Sequence, residues 1–177
     1  MVIAALLCAI GILIPMISPF KILIEPASFT LASHVAIFIG IFISPWVAAA
    51  VVVGTTIGFS FSFPLVVVLR AASHIVFTVI AALLLKSKPE ILKKRVSTFL
   101  FSLLVAVIHA AAEVAVVLPF YFGGRLSAIN YDKGFLTSVL LLVGVGTVVH
   151  SMVDFYIAYF IWKPLSKTMR LDTHTEG

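Results

Sequence analysis

Residues able to do acid–base or ion-binding chemistry recur in this chain as pairs four apart: Arg70 and His74, His109 and Glu113, His150 and Asp154. Each pair interrupts an apolar run, FPLVVVLRAASHIVF being the plainest, and His34 beside Ser33 adds one more imidazole in similar surroundings. On a helix a spacing of four puts both side chains on one face. A guanidinium or carboxylate at the centre of a lipid-embedded helix costs about 2.5–3.5 kcal/mol or more, so it persists only against a partner, a wet cavity or a ligand. Three such pairs argue for a shared polar interior.

The elements that hold these pairs must be membrane helices. Hydrophobic residues make up 62% of the 177, charged residues 11%, and the mean hydropathy is +1.24, whereas soluble domains are about one-quarter charged. Lipid is therefore the expected solvent of the apolar surface. The net charge of +5 does not point to nucleic acid, because the basic residues cluster between and after apolar spans as topology determinants do. The lone Cys8 rules out an intrachain disulfide. The first run, MVIAALLCAIGILIPMI, lacks the basic start and small-residue cleavage site of a signal peptide. It reads as a retained transmembrane helix, with a few basic residues expected ahead of it.

Hydropathy and Pro/Gly punctuation predict an all-α, compact six-helix bundle forming one domain over 1–177, with helices at about 1–19, 29–43, 46–61, 63–85, 96–118 and 135–162. Lys86, Lys88, Lys93, Lys94 and Arg95 follow the fourth helix, and Lys163, Lys167 and Arg170 follow the sixth, against Lys21, Arg125 and Lys133 on the opposite side. By the positive-inside rule both termini are cytoplasmic, and the loops at 20–28, 61–63 and 119–134 face outward.

At about 1.5 Å per residue, Arg70 and His74 lie roughly 10 and 16 Å below the outer rim, and Glu113 and His109 roughly 8 and 14 Å. These four fit one outward-opening pocket. The same count puts His150 and Asp154 roughly 22–28 Å deep, a structural or interface pair away from the pocket. Arg70 and Glu113 have two compatible readings: an ion pair locking two helices, or a carboxylate anchor whose fork Glu113 orients. His74 and His109 are either hydrogen-bonded structural imidazoles or partners for a ring nitrogen or carboxylate. In the last outer loop Tyr121, Asn130 and Tyr131 are ordinary loop residues or a cap over a small aromatic ligand.

The sequence texture resembles the S components, the substrate-binding membrane subunits of energy-coupling factor (ECF) vitamin transporters. The general likeness lies in six short helices, cytoplasmic ends and Ala5-x-x-x-Ala9 in the first helix. The runs IEPASFTLASHVAIFIGIFISP and GTTIGFSFSFPLVVVLRAASHIVF resemble the niacin-type S component more narrowly. The resemblance implies a non-enzymatic subunit of a bacterial cell membrane that captures a vitamin from outside and topples to release it. It implies as partners a transmembrane coupling protein, met through Ala5 and Ala9, and two cytoplasmic ATPases that hydrolyse the ATP. The chain itself needs no cofactor and has no glycine-rich nucleotide loop. Lys21, Glu25, Pro26 and Ser28 would belong to the lid, and the last three helices would line the pocket. Nicotinate, a flat anion, would meet Arg70 with its carboxylate and His74, His109 or Asn130 with its ring nitrogen, with His34 and Glu113 as further substrate-binding candidates, and nicotinamide would bind less well.

Two alternatives share these residues: an S component for another B vitamin, and an intramembrane metal-dependent hydrolase built on the His-x-x-x-acid pairs. The calculated separation of His109 from His150 removes the basis for a shared metal, so no metal site is expected.

Overall fold

The computed structural model describes residues 2–24 and 27–168. In chain order it contains α1 (Val2–Ile17), β1 (Lys21–Ile24), β2 (Ala27–Thr30), α2 (Val35–Ile43), α3 (Pro45–Ser60) and α4 (Leu65–Ser87). A 3₁₀ turn at Pro89–Lys93 leads to α5 (Arg95–Phe122), the short α6 (Ala128–Asp132), a π-helical segment (Leu136–Val145) and α7 (Gly146–Thr168). Among the described residues the fold is all-α apart from one two-stranded hairpin.

Among the described residues three helical stretches are long and apolar enough to cross a membrane: Leu65–Ser87, Arg95–Phe122 and Leu136–Thr168. α1 and α3 are apolar but shorter, at 16 residues each. Large apolar side chains stand exposed along their outer faces, among them Leu6, Ile10 and Leu13 on α1, Leu104 and Val107 on α5, and Val149 and Val153 on α7. In water such a surface would be prohibitive, and in a bilayer it is the solvated one. The protein is a membrane protein.

The second helix departs from the sequence expectation. It begins at Val35 rather than near Phe29, because 21–24 and 27–30 pair antiparallel, Lys21 with Thr30 and Ile22 with Phe29. α2 is nine residues long, about 13.5 Å, and spans under half of a roughly 30 Å hydrocarbon layer. Its residues Val35 to Phe42 are all buried, as befits a helix surrounded by others. Ser44 caps α3, accepting the Val47 N–H at 3.2 Å, and Pro45 occupies the first turn, where its missing N–H costs nothing. The remaining ends shift modestly: α5 continues to Phe122 rather than 118, and the last outer loop contains α6.

Small residues set the closest helix contacts. A Cβ on Gly54 would fall 2.5 Å from Cys8 Sγ, and one on Gly11 2.6 Å from Thr55 Cγ2, so α1 and α3 meet at backbone range. The main apolar core joins α2, α4, α5 and α7 through Phe38, Phe77, Phe101 and Phe155, with Val51 and Val52 of α3 and Leu7 of α1 in the same cluster. A second, smaller cluster forms around Val117, Val139 and Val143. Along α4, α5 and α7 the polar pairs fall between these two clusters.

Candidate binding site

A cavity of about 490 Å³ opens between the hairpin and the helices. α4 contributes Val66, Val67, Arg70, Ala71 and His74; α5 contributes Glu113; α7 contributes Thr147 and His150. α1 and α3 also wall it, through Gly11, Pro15, Thr55 and Phe59, beside the last three helices expected from the sequence. The hairpin supplies Lys21, Phe29 and Thr30, and the loop into α6 supplies Arg125, Leu126, Ser127 and Asn130. Lys21, Arg70 and Arg125 outnumber the one acidic lining residue, Glu113, giving the cavity a positive field suited to an anion.

Glu113 is the hub of the upper network. Its Oε2 accepts from Arg70 Nη2 at 2.7 Å and Thr147 Oγ1 at 2.8 Å. Its Oε1 accepts from His74 Nε2 at 3.1 Å and lies 3.6 Å from His109 Nε2. Arg70, His74, His109 and Glu113 are all buried. The predicted meeting of these four is thus present, with His109 behind the wall rather than in it.

The exclusion of His150 from the cavity is overturned, while Asp154 is buried outside the lining and holds the turn before α2. Asp154 Oδ1 accepts the Ala32 N–H at 2.8 Å, and Oδ2 accepts the His34 N–H at 2.9 Å and His34 Nδ1–H at 3.1 Å. His150 lines the cavity, with Nε2 3.1 Å from Ser33 Oγ. Counting depth from the predicted helix ends failed for two reasons: α5 runs to Phe122 rather than 118, which sets Glu113 about 6 Å deeper, and the chain reaches α7 through ten π-helical residues, whose wider turns advance less per residue. Thr147, three residues before His150, consequently stands level with Glu113. His34 then bridges the two sets: its ring centroid is 4.8 Å from those of His74 and His109 and 5.0 Å from that of His150.

The turn before α2 is shaped around the Asp154 carboxylate. Ala32 has φ 68, a left-handed conformation costly for a residue with a Cβ, and this aims the N–H groups of residues 32 and 34 at one acceptor. Such strain persists where the surroundings over-determine it.

Of the loop residues, Asn130 is buried against the cavity; its Nδ2–H donates to Ser127 Oγ at 2.8 Å while Oδ1 has no hydrogen-bond partner among the described residues. Tyr131 is not in the lining: its hydroxyl donates to the Tyr121 carbonyl at 3.0 Å and accepts the Leu126 N–H at 3.2 Å, bracing the loop. Lys21 lines the cavity, Ser28 pairs with Leu23 in the hairpin, and Glu25 and Pro26 lie outside the described residues. Ala5 and Ala9 are exposed on α1, opposite its buried stripe of Ala4, Leu7, Gly11 and Pro15. Sequence reasoning missed Arg125, Thr147 and Phe29. Arg125 was visible as one of few outward basic residues, but nothing local marks the other two.

Fold and site together define a helical membrane protein with a basic, small-molecule-sized cavity reached past a β-hairpin. No family model and no solved structure matches the chain. The niacin transporter NiaX of Lactococcus lactis subsp. cremoris (strain MG1363) is 42% identical over 173 residues, covering 97% of this chain and 77% of that relative. The chain belongs to the NiaX family.

Proposed function

We propose that this protein is the substrate-binding S component of an ECF-type importer and captures nicotinate from outside the cell. The observation that carries the reading is Arg70, buried in the cavity wall and held by Glu113 at 2.7 Å, with Lys21 and Arg125 on the same cavity. An arginine fork so fixed presents parallel N–H donors to a carboxylate without reorganising. His34, His74 and Asn130 offer partners for the pyridine nitrogen, His109 supports His74 and His34 from behind, and Phe29 and Phe59 supply flat apolar walls. The cavity volume of about 490 Å³ falls in the small-molecule range of about 300–1,000 Å³. The name of the family relative, a niacin transporter, supports the same ligand.

In this reading the hairpin is the lid, with Ser28 on its second strand. The hairpin and α2 together make the second of six passages through one transmembrane unit of residues 1–177, which keeps both termini cytoplasmic, and the basic run between α4 and α5 supports that orientation. Ala5 and Ala9, exposed on α1, face the transmembrane coupling protein, and two cytoplasmic ATPases drive the cycle. The chain performs no covalent chemistry: Glu113 is engaged by Arg70, Thr147 and His74 rather than placed as a general base for a hydrolase. Mass spectrometry of the small molecule that copurifies tests the reading. Nicotinate is expected; a different B vitamin would overturn the ligand assignment and leave the subunit class standing.

A further inference from the structure

The geometry points to a three-imidazole site for a borderline divalent cation, Zn²⁺ above all, formed by His34, His74 and His109 at the inner wall of the cavity. The three rings make a near-equilateral triangle, with centroids 4.8, 4.8 and 4.7 Å apart and each pair edge-on. Each ring offers one nitrogen, and the three nitrogens lie within 4.8 Å of one another. Imidazole nitrogens suit Zn²⁺, Ni²⁺, Cu²⁺ and Co²⁺ rather than Ca²⁺ or Mg²⁺, and three histidines with an open fourth position form a known zinc arrangement. Zn–N bonds of about 2.0–2.1 Å put tetrahedral ligands roughly 3.4 Å apart, so the rings close on the ion by about an ångström.

The surroundings of each ring are those of a metal ligand rather than of an ordinary buried histidine. A ligating imidazole gives its second N–H to an oxygen acceptor that fixes its tautomer and orientation. Here the carboxylate of Asp154 can only accept, so His34 donates Nδ1–H to it at 3.1 Å and keeps the Nε2 lone pair. Glu113 likewise takes His74 Nε2–H at 3.1 Å, and Ser151 Oγ holds His109 Nδ1 at 3.1 Å. His109 Nε2 is buried and lacks a hydrogen-bond partner among the described residues, with Glu113 Oε1 no nearer than 3.6 Å. Glu113 and Asp154 put two buried carboxylates directly behind the rings, each held to an imidazole nitrogen. The open position is reached through His34 and His74, which line the cavity.

The site is tested on the full chain, purified in detergent, stripped with a chelator and titrated with Co²⁺ and then Zn²⁺ without any vitamin, so the outcome is independent of the nicotinate reading. One equivalent of Co²⁺ per chain is expected, with the visible d–d absorption of nitrogen-ligated cobalt, displaced by Zn²⁺. His34→Ala and His109→Ala are expected to lose the absorption, and His150→Ala to keep it. Ser151→Ala leaves all three rings in place and should weaken binding roughly 10-fold, the low end of what removing an orienting partner costs. Absence of saturable uptake by the wild type, or wild-type uptake in both His109→Ala and Ser151→Ala, overturns the site.

Discussion

Arg70 and Glu113, 43 positions apart on α4 and α5, meet at 2.7 Å inside the bundle, and the same carboxylate oxygen takes the Thr147 hydroxyl at 2.8 Å. Three helices are thereby fastened at one buried point that opens onto the cavity. A carboxylate with two oxygens serving Arg70, Thr147 and His74 has little capacity left for a ligand. In the proposed function Glu113 therefore acts on nicotinate through Arg70.

Glu113→Ala removes one partner of a buried pair and leaves the guanidinium uncompensated, a loss of about 3–5 kcal/mol in comparable sites. A clear fall in thermal unfolding midpoint of the detergent-solubilised protein is expected. Glu113→Gln, which keeps an acceptor for Arg70 and Thr147, should fall less. Equal midpoints for the wild type and Glu113→Ala would contradict the fastening role.

Asp154→Asn should loosen the hairpin rather than the bundle. The carboxylate accepts two backbone N–H groups of the 31–34 turn and the His34 ring, and hydrogen bonds to charged groups are each worth about 1.5–3 kcal/mol. Faster amide hydrogen exchange at residues 29–34 is the expected signature. In the opposite direction, Ala32→Gly removes the Cβ from a residue at φ 68 and should be neutral or stabilising by up to about 1 kcal/mol. Strong destabilisation by Ala32→Gly would show that the turn is not held under strain.

Much of this site was legible in residue spacing. Polar residues four apart in apolar runs located Arg70, His74, His109 and Glu113, because lipid leaves few other reasons for them. The hairpin was not legible: FTLASH is apolar enough to continue a helix, and what turns it is Asp154, more than a hundred positions away. The place of His150 was lost for geometric reasons: α5 continues four residues past the predicted end and so sets Glu113 deeper, and a π-helical segment has no apolar period that distinguishes it from an α-helix and yet changes how far the chain descends. Phe29 was likewise invisible, as its position depends on strand pairing with Ile22.

Gly146→Ala tests that the hairpin is seated on α7. Its Cβ would lie 2.5 Å from Phe29 Cζ and 3.2 Å from Cε2, so the Phe29 ring must swing away from α7. Overpacking of this kind costs about 1–3 kcal/mol, so ligand affinity should drop roughly 5- to 100-fold although no polar group has changed. Unaltered binding in titration calorimetry would mean that Phe29 does not form part of the working wall.

The central claim is that Arg70 anchors the carboxylate of nicotinate, and equilibrium binding of nicotinate and nicotinamide to wild type and Arg70→Ala measures it directly. The wild type should prefer the acid. Arg70→Ala, checked as monodisperse by size exclusion, should bind nicotinate at least about 30-fold more weakly, corresponding to the roughly 2–5 kcal/mol lost when a buried charged partner is truncated, and should lose the preference over nicotinamide. Wild-type nicotinate affinity in Arg70→Ala would contradict the account.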